Sequence, residues 1–207
     1  MEGCDHMGKA DLNKKLKMEN LLNASFELFT SQGINKTSIS DIVEKAGVAT
    51  GTFYLYFKDK YDINNKLVIH RATMLFDAAM ERMKNEDLPD ARAKLMFIIN
   101  DIIDALADNK LLLMFISKNL GLGIFRFTME STGITEYPTI HEAYQEFVDE
   151  IGDTVSDPKL MLYLIIELIG GSIYSSILYE QPMGIEELKP HLYKTVGAIM
   201  DQFTVQK

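Results

Sequence analysis

The chain has 207 residues, of which 47% are hydrophobic and 25% are charged, and its formal net charge is −9. This composition is typical of a globular protein with one or two packed units, and it excludes a disordered chain. The single cysteine, Cys4, cannot form an internal disulfide. Because no basic segment followed by an apolar one opens the chain, we see no secretion signal and expect a cytoplasmic protein.

Charge is distributed unevenly along the chain. Residues 1–71 carry ten Lys/Arg and nine Asp/Glu, a net charge of +1, whereas residues 72–207 carry eleven and twenty-one, a net charge of −10. An acidic surface repels polyanions, so a nucleic acid partner would bind at the N-terminal end. The asymmetry favours two functions in one chain.

Helical periodicity dominates the N-terminal third. Residues 1–10 are expected to form a disordered tail. An apolar stripe that begins at Leu21 predicts a first helix, which ends at Gly33. Ser38 followed three residues later by Asp41 has the spacing of a capping box, and it predicts the start of a second helix.

A glycine separates the second helix from a short third one. Gly47 allows the backbone to turn sharply, and the third helix is predicted over about 49–57. Its Phe53 and Phe57 are four residues apart and face inward together. Two short helices joined at a glycine form a helix-turn-helix. From residue 60 to about 85, apolar residues recur every three to four positions and predict one long helix.

The acidic remainder is also predicted to be helical. No run with strict period two occurs, so no strand is expected. The fold class is all-α, with an N-terminal three-helix helix-turn-helix domain and a C-terminal helical domain for ligand binding and dimerisation. The predicted domains are 11–59, 60–85 as a connecting helix, and 86–207. The predicted C-terminal helices cover about 89–107, 110–119, 139–155, 157–180 and 185–204.

One C-terminal segment has the length of a membrane span. Residues 160–179 are twenty residues with a single charge, Glu167. The central carboxylate, three serines and acidic flanks argue against a span. We favour a buried helix shared between subunits. With the helix at 185–204, the helix at 157–180 predicts a homodimer through a four-helix bundle.

A dense motif accompanies the helix-turn-helix. It reads Thr37-Ser38-x-x-Asp41-Ile42-Val43-x-x-Ala46-Gly47-Val48-x-x-Gly51-Thr52-Phe53-Tyr54-x-Tyr56-Phe57-x-x-Lys60. Over about residues 20–67 the sequence resembles the N-terminal signature of the TetR family of bacterial transcriptional regulators. One departure is Ala49, which stands where that family often has a Ser cap. The absence of this cap lowers the stability of the helix by about 1 kcal/mol.

The resemblance implies that one surface contacts double-stranded DNA. Small residues let the backbone approach a groove, hydroxyls and a lysine meet phosphates, and Leu55 meets a thymine methyl group. The implied DNA-binding residues are Ser38, Ser40, Thr50, Gly51, Thr52, Tyr54, Leu55, Tyr56 and Lys60.

The resemblance also implies an effector pocket beside the long helix. Methionine and aromatic side chains adapt to a hydrophobic ligand of irregular shape. For any one of these residues, ordinary core packing is the alternative. The candidate ligand-binding residues are Met96, Phe97, Met114, Phe115, Phe125, Met129, Tyr137, Tyr144 and Tyr163.

Catalytic and metal motifs are missing from the sequence. The four histidines are far apart and have no second ligand at metal-binding spacing, so we expect no enzyme, metal or cofactor. We expect a sequence-specific DNA-binding transcriptional regulator, a repressor that a small hydrophobic effector releases from a palindromic operator. The alternative is a helical hydrophobic-ligand-binding or interaction protein without operator binding.

Overall fold

A computed structural model describes residues 9–117, 138–151 and 154–205, without the side chains of residues 9–11 and 138–144. In this part of the chain the regular structure is helical, which confirms the all-α prediction. The exception is an isolated β-bridge between Val155 and Thr204. The described helices are α1 (Lys9–Gln32), a 3-10 helix (Ile34–Lys36), α2 (Ile39–Ala46), α3 (Thr50–Tyr56), α4 (Lys60–Met83), α5 (Ala91–Asp108), α6 (Lys110–Ser117), α7 (Pro138–Ile151), α8 (Pro158–Tyr179) and α9 (Ile185–Phe203).

The chain divides into two compact units, residues 1–67 and residues 68–207. The division falls inside α4, which is continuous from Lys60 to Met83. Of the predicted N-terminal tail, residues 1–8 lie outside the described part, and α1 begins at Lys9.

The first unit is a three-helix core completed by the start of α4. Helix α1 packs against α2 and α3, and α2 packs against α3. Full burial of a Leu, Ile or Phe side chain stabilises a fold by about 1.5–3 kcal/mol, so a small set of residues accounts for this packing. The buried apolar residues are Leu21, Leu22, Ala24, Phe29, Ile42, Val43, Phe53, Phe57, Ile63 and Leu67.

The second unit has a separate apolar core. Helix α8 packs against α6 and α9, and α5 packs against α6 and α7. At the end of α8, the buried Ser176 hydroxyl donates to the Met183 carbonyl at 2.8 Å and holds the turn into α9. The fully or nearly buried core residues include Ile103, Leu106, Leu113, Ile116, Met161, Ile165, Ile173 and Val196.

Helix α8 has two apolar faces. One face contributes to the core, while the opposite face, with Leu160, Leu164, Glu167 and Gly171, is exposed. By length and composition alone α8 is the single helix of the described ranges that could cross a membrane. Glu167 would place a charge on the lipid-facing side of such a span.

Two predicted helix ends are wrong. Pro89 does not lie in the first turn of α5, because the Asp90 side chain caps that helix by accepting from the Ala93 amide at 2.8 Å. Helix α7 ends at Ile151 and not at residue 155. The backbone near Val155 pairs instead with the end of α9, where the Val205 amide donates to the Thr154 carbonyl at 2.8 Å.

Candidate DNA-binding surface and ligand cavity

Helix α2 begins with a reciprocal cap. The Asp41 amide donates to Ser38 Oγ at 3.1 Å, and the Ser38 amide donates to Asp41 Oδ2 at 2.8 Å. These hydrogen bonds, first from the Ser38 backbone and then from its side chain, lower the pKa of Asp41. The predicted capping box is therefore confirmed. Both Ser38 and Ser40 are exposed at this end of α2.

The turn between α2 and α3 depends on a left-handed glycine. Gly47 has φ 67° and ψ 34°, a conformation that costs an L-residue about 1–2 kcal/mol. The next amide, that of Val48, donates to the Val43 carbonyl at 3.0 Å and closes the end of α2. This turn sets the direction in which α3 leaves α2.

Helix α3 has one buried and one exposed face. Phe53 and Phe57 are buried, as predicted, with ring centroids 5.5 Å apart. Tyr54 is 58% exposed and Leu55 is 79% exposed. The exposure of Leu55 indicates a surface suited to binding a partner, because transfer of this side chain from water to an apolar contact would be favourable.

The other predicted residues of α3 flank this exposed pair. Thr50 and Gly51 are exposed and Thr52 is half-buried. The helix starts without a side-chain cap at Ala49, as the sequence indicates. Half-buried Tyr56 donates its hydroxyl to the Lys14 carbonyl at 3.2 Å, a contact that joins α3 to α1.

Lys60 has a structural role that the sequence did not indicate. Its ammonium donates to the Asn35 carbonyl at 3.2 Å and to the Thr37 carbonyl at 3.1 Å, next to the start of α2. An ammonium has three N–H donors, so one remains for another acceptor. Lys66 similarly donates to the Tyr56 carbonyl at 3.0 Å and satisfies the end of α3.

Further positive charge surrounds the α2–α3 pair. Lys36 and Lys58 are exposed, and neither has a carboxylate partner within the described ranges. Lys14 and Lys17 are exposed near the start of α1. Lys36 and Lys58 were not predicted as site residues, although their positions just before α2 and just after α3 were a usable signal.

An apolar cavity of about 290 Å³ lies within the second unit. Five helices contribute to its wall, namely the C-terminal half of α4 with α5, α7 and α8, and α6 through Ile116. Cavities of this size accommodate small molecules. The wall is mainly aliphatic, with Leu75, Phe76, Met80, Ile98, Ile102, Phe147, Leu162 and Ile169 among its residues.

Five of the nine predicted ligand residues do not line this cavity. Met96 and Phe97 lie on α5, but the cavity takes the other side of that helix, through Leu95, Ile98 and Ile102. Met114, Phe115 and Tyr163 also do not contribute to the wall. Phe125, Met129, Tyr137 and the side chain of Tyr144 fall outside the described part.

Three charged residues lie at one edge of this cavity. Lys94 of α5 pairs with Glu150 of α7, with Nζ 2.8 Å from one carboxylate oxygen and 3.1 Å from the other. Their side chains are 40% and 38% exposed, so this edge opens to solvent. Glu146, one turn before Glu150, is exposed and also borders the cavity.

No metal centre is formed by the residues that the structure describes, since they contain no group of three or more His, Cys, Asp or Glu side chains that could hold an ion.

Two candidate sites are therefore described, an exposed helix-turn-helix surface in the first unit and an apolar cavity in the second.

Comparison with known proteins decides what this helix-turn-helix is. A sequence profile described as bacterial regulatory proteins of the tetR family matches residues 21–66. Residues 21–66 form a tetR-family domain. The matched range contains the capping box of α2, the Gly47 turn and all of α3.

Relatives of the tetR-family domain are named as transcriptional regulators. The HTH-type transcriptional regulator YvdT of Bacillus subtilis is 30% identical over 135 residues, which cover 65% of this chain and 64% of that protein. The fatty acid metabolism regulator protein of the same organism is 32% identical over 94 residues, 45% of this chain and 47% of that protein. The chain thus spans less than two thirds of these relatives.

Solved structures support the fold over most of the chain. A tetR-family regulator from Streptomyces coelicolor has a TM-score of 0.64 at 15% identity and covers 90% of this chain and 99% of that one. The regulator FadR of Bacillus subtilis, solved in complex with stearoyl-CoA, has a TM-score of 0.56 at 21% identity and covers 86% and 96%. The all-α arrangement beyond the tetR-family domain is therefore a shared fold.

Proposed function

We propose that the protein is a DNA-binding transcriptional regulator, acting as a repressor, whose operator binding is released by a small apolar effector. The observation that carries this proposal is the exposed face of α3, where Tyr54 and Leu55 project from a helix anchored by buried Phe53 and Phe57. A short helix held in this way by a tetR-family domain is suited to enter the major groove. The relatives are named regulators and not enzymes.

The exposed residues divide into two kinds of contact. Thr50, Gly51 and Leu55 are placed to meet base edges, with Leu55 against a thymine methyl group. Ser38, Ser40, Thr52 and Tyr54 supply hydroxyls, which bind phosphate oxygens and fix the register of the helix in the groove.

Two further predicted residues bind DNA while they hold the domain together. Lys60 has one N–H donor left for a phosphate. Its other contacts, to the Asn35 and Thr37 carbonyls, hold the ammonium beside the start of α2. Tyr56 can still accept a hydrogen bond while it donates to Lys14. Lys36 and Lys58 add unpaired positive charge to the footprint.

The effector would occupy the cavity lined by α4, α5, α6, α7 and α8. Its wall is aliphatic, and one relative is named for fatty acid metabolism. Helix α4 is continuous from Lys60 to the cavity residues Met80 and Met83, so a ligand that favours one position of α4 biases the DNA-binding end. A preference of 2–3 kcal/mol would weaken DNA binding by about 30–150-fold.

The proposed regulator would act as a homodimer in the cytoplasm. The exposed apolar side of α8, with α9 beside it, would pack against the same pair of a second copy. Burial of that side between subunits accounts for its composition without a membrane span. The two copies of α3 would then each bind one half of a palindromic operator, and the centres of these half-sites would lie about 34 Å apart, one turn of DNA.

Fluorescence anisotropy with labelled DNA tests this proposal. The probe is the sequence upstream of the protein's own gene, with excess non-specific DNA as competitor. We expect specific binding that the double substitution Thr50→Ala with Leu55→Ala weakens by about tenfold or more, because each lost base contact costs about 1–3 kcal/mol. Asn85→Ala, an exposed position after α4, is the matched control and should bind as the native chain does.

Two outcomes would overturn the proposal. One is an absence of specific binding to any upstream fragment. The other is a double variant that binds with native affinity, which would remove α3 from the interface.

A further inference from the structure

The open edge of the cavity carries more negative than positive charge. Glu146 and Glu150 lie four residues apart on α7 and therefore share one face of that helix, and both border the cavity with Lys94. Lys94 is engaged by both oxygens of Glu150. Among the described residues Glu146 has no ionic or hydrogen-bonding partner. Within the described residues, one carboxylate charge at the opening is thus uncompensated.

The rest of the described wall gives a ligand no other charged partner. Apart from these three residues, all the described side chains that line the cavity are apolar. A ligand with an apolar chain therefore places its polar group at the edge formed by Lys94, Glu146 and Glu150. A carboxylate or phosphate there could accept only the one N–H donor that Lys94 has left, and it would face the negative charges of both Glu146 and Glu150. An ammonium group would leave that ion pair intact and compensate the charge of Glu146.

We infer that the effector of this cavity is a cationic amphiphile, with an aliphatic chain among the α4, α5 and α8 side chains and an ammonium or other positive group beside Glu146. This inference rests on the proposed function, because it names the chemical class of the same effector. It separates this cavity from one that accepts an anionic acyl compound, since the two classes require opposite charge at the opening.

Three probes with the same ten-carbon chain distinguish these head groups. Decyltrimethylammonium, 1-decanol and decanoate are titrated into the full chain by isothermal titration calorimetry, below the concentrations at which they form micelles. We expect the cation to bind about tenfold or more tightly than decanoate, with the alcohol between them. A tenfold difference corresponds to about 1.4 kcal/mol, within the range for a charge pair at a solvated edge.

Substitutions at the edge identify the group responsible. Glu146→Gln should remove most of the preference for the cation and leave the affinity for 1-decanol unchanged. Lys94→Met should increase the preference, because it frees the charge of Glu150. Glu187→Gln, at an exposed carboxylate of α9 without a partner in the described ranges, is the control and should change neither.

The possible results separate this inference from the proposal on which it rests. If none of the three probes binds the native chain, the ligand cavity of the proposed function fails, and the inference fails with it. If decanoate binds as tightly as the cation or more tightly, or if Glu146→Gln leaves the preference in place, the cavity stands and the cationic effector is rejected.

Discussion

Ser38 and Asp41 connect the start of α2 to the surface that we propose binds DNA. Two of the four amides that a helix start leaves without a partner are satisfied by this pair. The cap fixes the backbone at a place where Ser38 and Ser40 are both exposed. A residue pair three apart therefore determines both the beginning of the helix and the position of two proposed phosphate contacts.

The lowered pKa of Asp41 predicts a pH-dependent contribution to stability. A carboxylate whose folded pKa is depressed stabilises the native state above its unfolded pKa, 3.8 here, and loses that contribution as pH falls through the lower folded value. We expect Asp41→Asn to lower the urea midpoint of unfolding at neutral pH. The difference from the native chain should shrink as pH falls below 3.8 and vanish once Asp41 is protonated in the native state as well.

The matched control for this experiment is Glu44→Gln, on the same helix. Its carboxylate is exposed and has no partner in the described part of the chain. A pH profile in which Asp41→Asn and the native chain differ equally at all pH values would contradict the role of the cap.

Helices α5 and α9 run antiparallel and are joined by a ladder of polar side chains. Arg92 Nη1 pairs with Asp201 Oδ1 at 2.6 Å, the Tyr193 hydroxyl donates to Asn100 Oδ1, and Lys189 pairs with Asp104. In the same register Gly197 leaves room for the Arg92 guanidinium, because an added Cβ would lie 2.5 Å from its Nη2. The rungs of this α5–α9 ladder are Arg92–Asp201, Asn100–Tyr193 and Asp104–Lys189.

Lys189 is the most enclosed charge of the α5–α9 ladder. Its side chain is 12% exposed. Burial alone would lower its pKa, but hydrogen bonds from the ammonium to Asp104 and Glu186 outweigh burial and raise the pKa to about 12. Its contribution to stability is therefore complete below the unfolded value of 10.5 and is lost only as pH rises through about 12.

We expect Lys189→Met to lower the free energy of unfolding by about 1.5–3 kcal/mol at neutral pH, because charged hydrogen bonds in a low-exposure site contribute about this much. Urea denaturation checks the value. Lys194→Met, at an exposed lysine of the same helix, should change it by less than about 0.5 kcal/mol. Equal effects of the two substitutions, or no coupling between Lys189→Met and Asp104→Asn in a double-mutant cycle, would argue against the ladder.

At the scale of the whole molecule, α8 is a long apolar helix that one chain leaves incompletely buried. Its cavity face, with Leu162 and Ile166, lies opposite the exposed face of Leu160, Leu164 and Gly171. An ideal Cβ on Gly171 would meet nothing within 4 Å, so that face can admit a close neighbour. A second copy of the chain is the neighbour that we propose.

We expect the native chain to sediment at micromolar concentration with twice the 23.5 kDa mass of one chain. Leu164→Glu should shift it to the monomer, because a carboxylate would be buried against an apolar partner. Analytical ultracentrifugation measures both. Asn85→Glu, with the same charge change at an exposed position after α4, should remain a dimer. A native monomer, or a dimer unaffected by Leu164→Glu, would contradict the proposed interface.

Local patterns in the sequence were sufficient for most of the fold. The capping box at Ser38, the Gly47 turn and the buried Phe53–Phe57 pair were all predicted and are all observed. Each depends on residues close together in the chain, so backbone geometry and helical period suffice to find it. The tetR-family resemblance was carried by the same local spacing.

The ligand cavity and the ion pairs were decided only by tertiary structure. Aromatic and methionine content pointed to Met96 and Phe97, whereas the tertiary packing of α5 turned Ile98 and Ile102 toward the cavity. Lys94 pairs with Glu150 although 56 positions separate the two residues in the sequence. Composition identifies which side chains can line a cavity, but which side of each helix faces it depends on contacts between segments far apart in sequence, and no local period records those contacts.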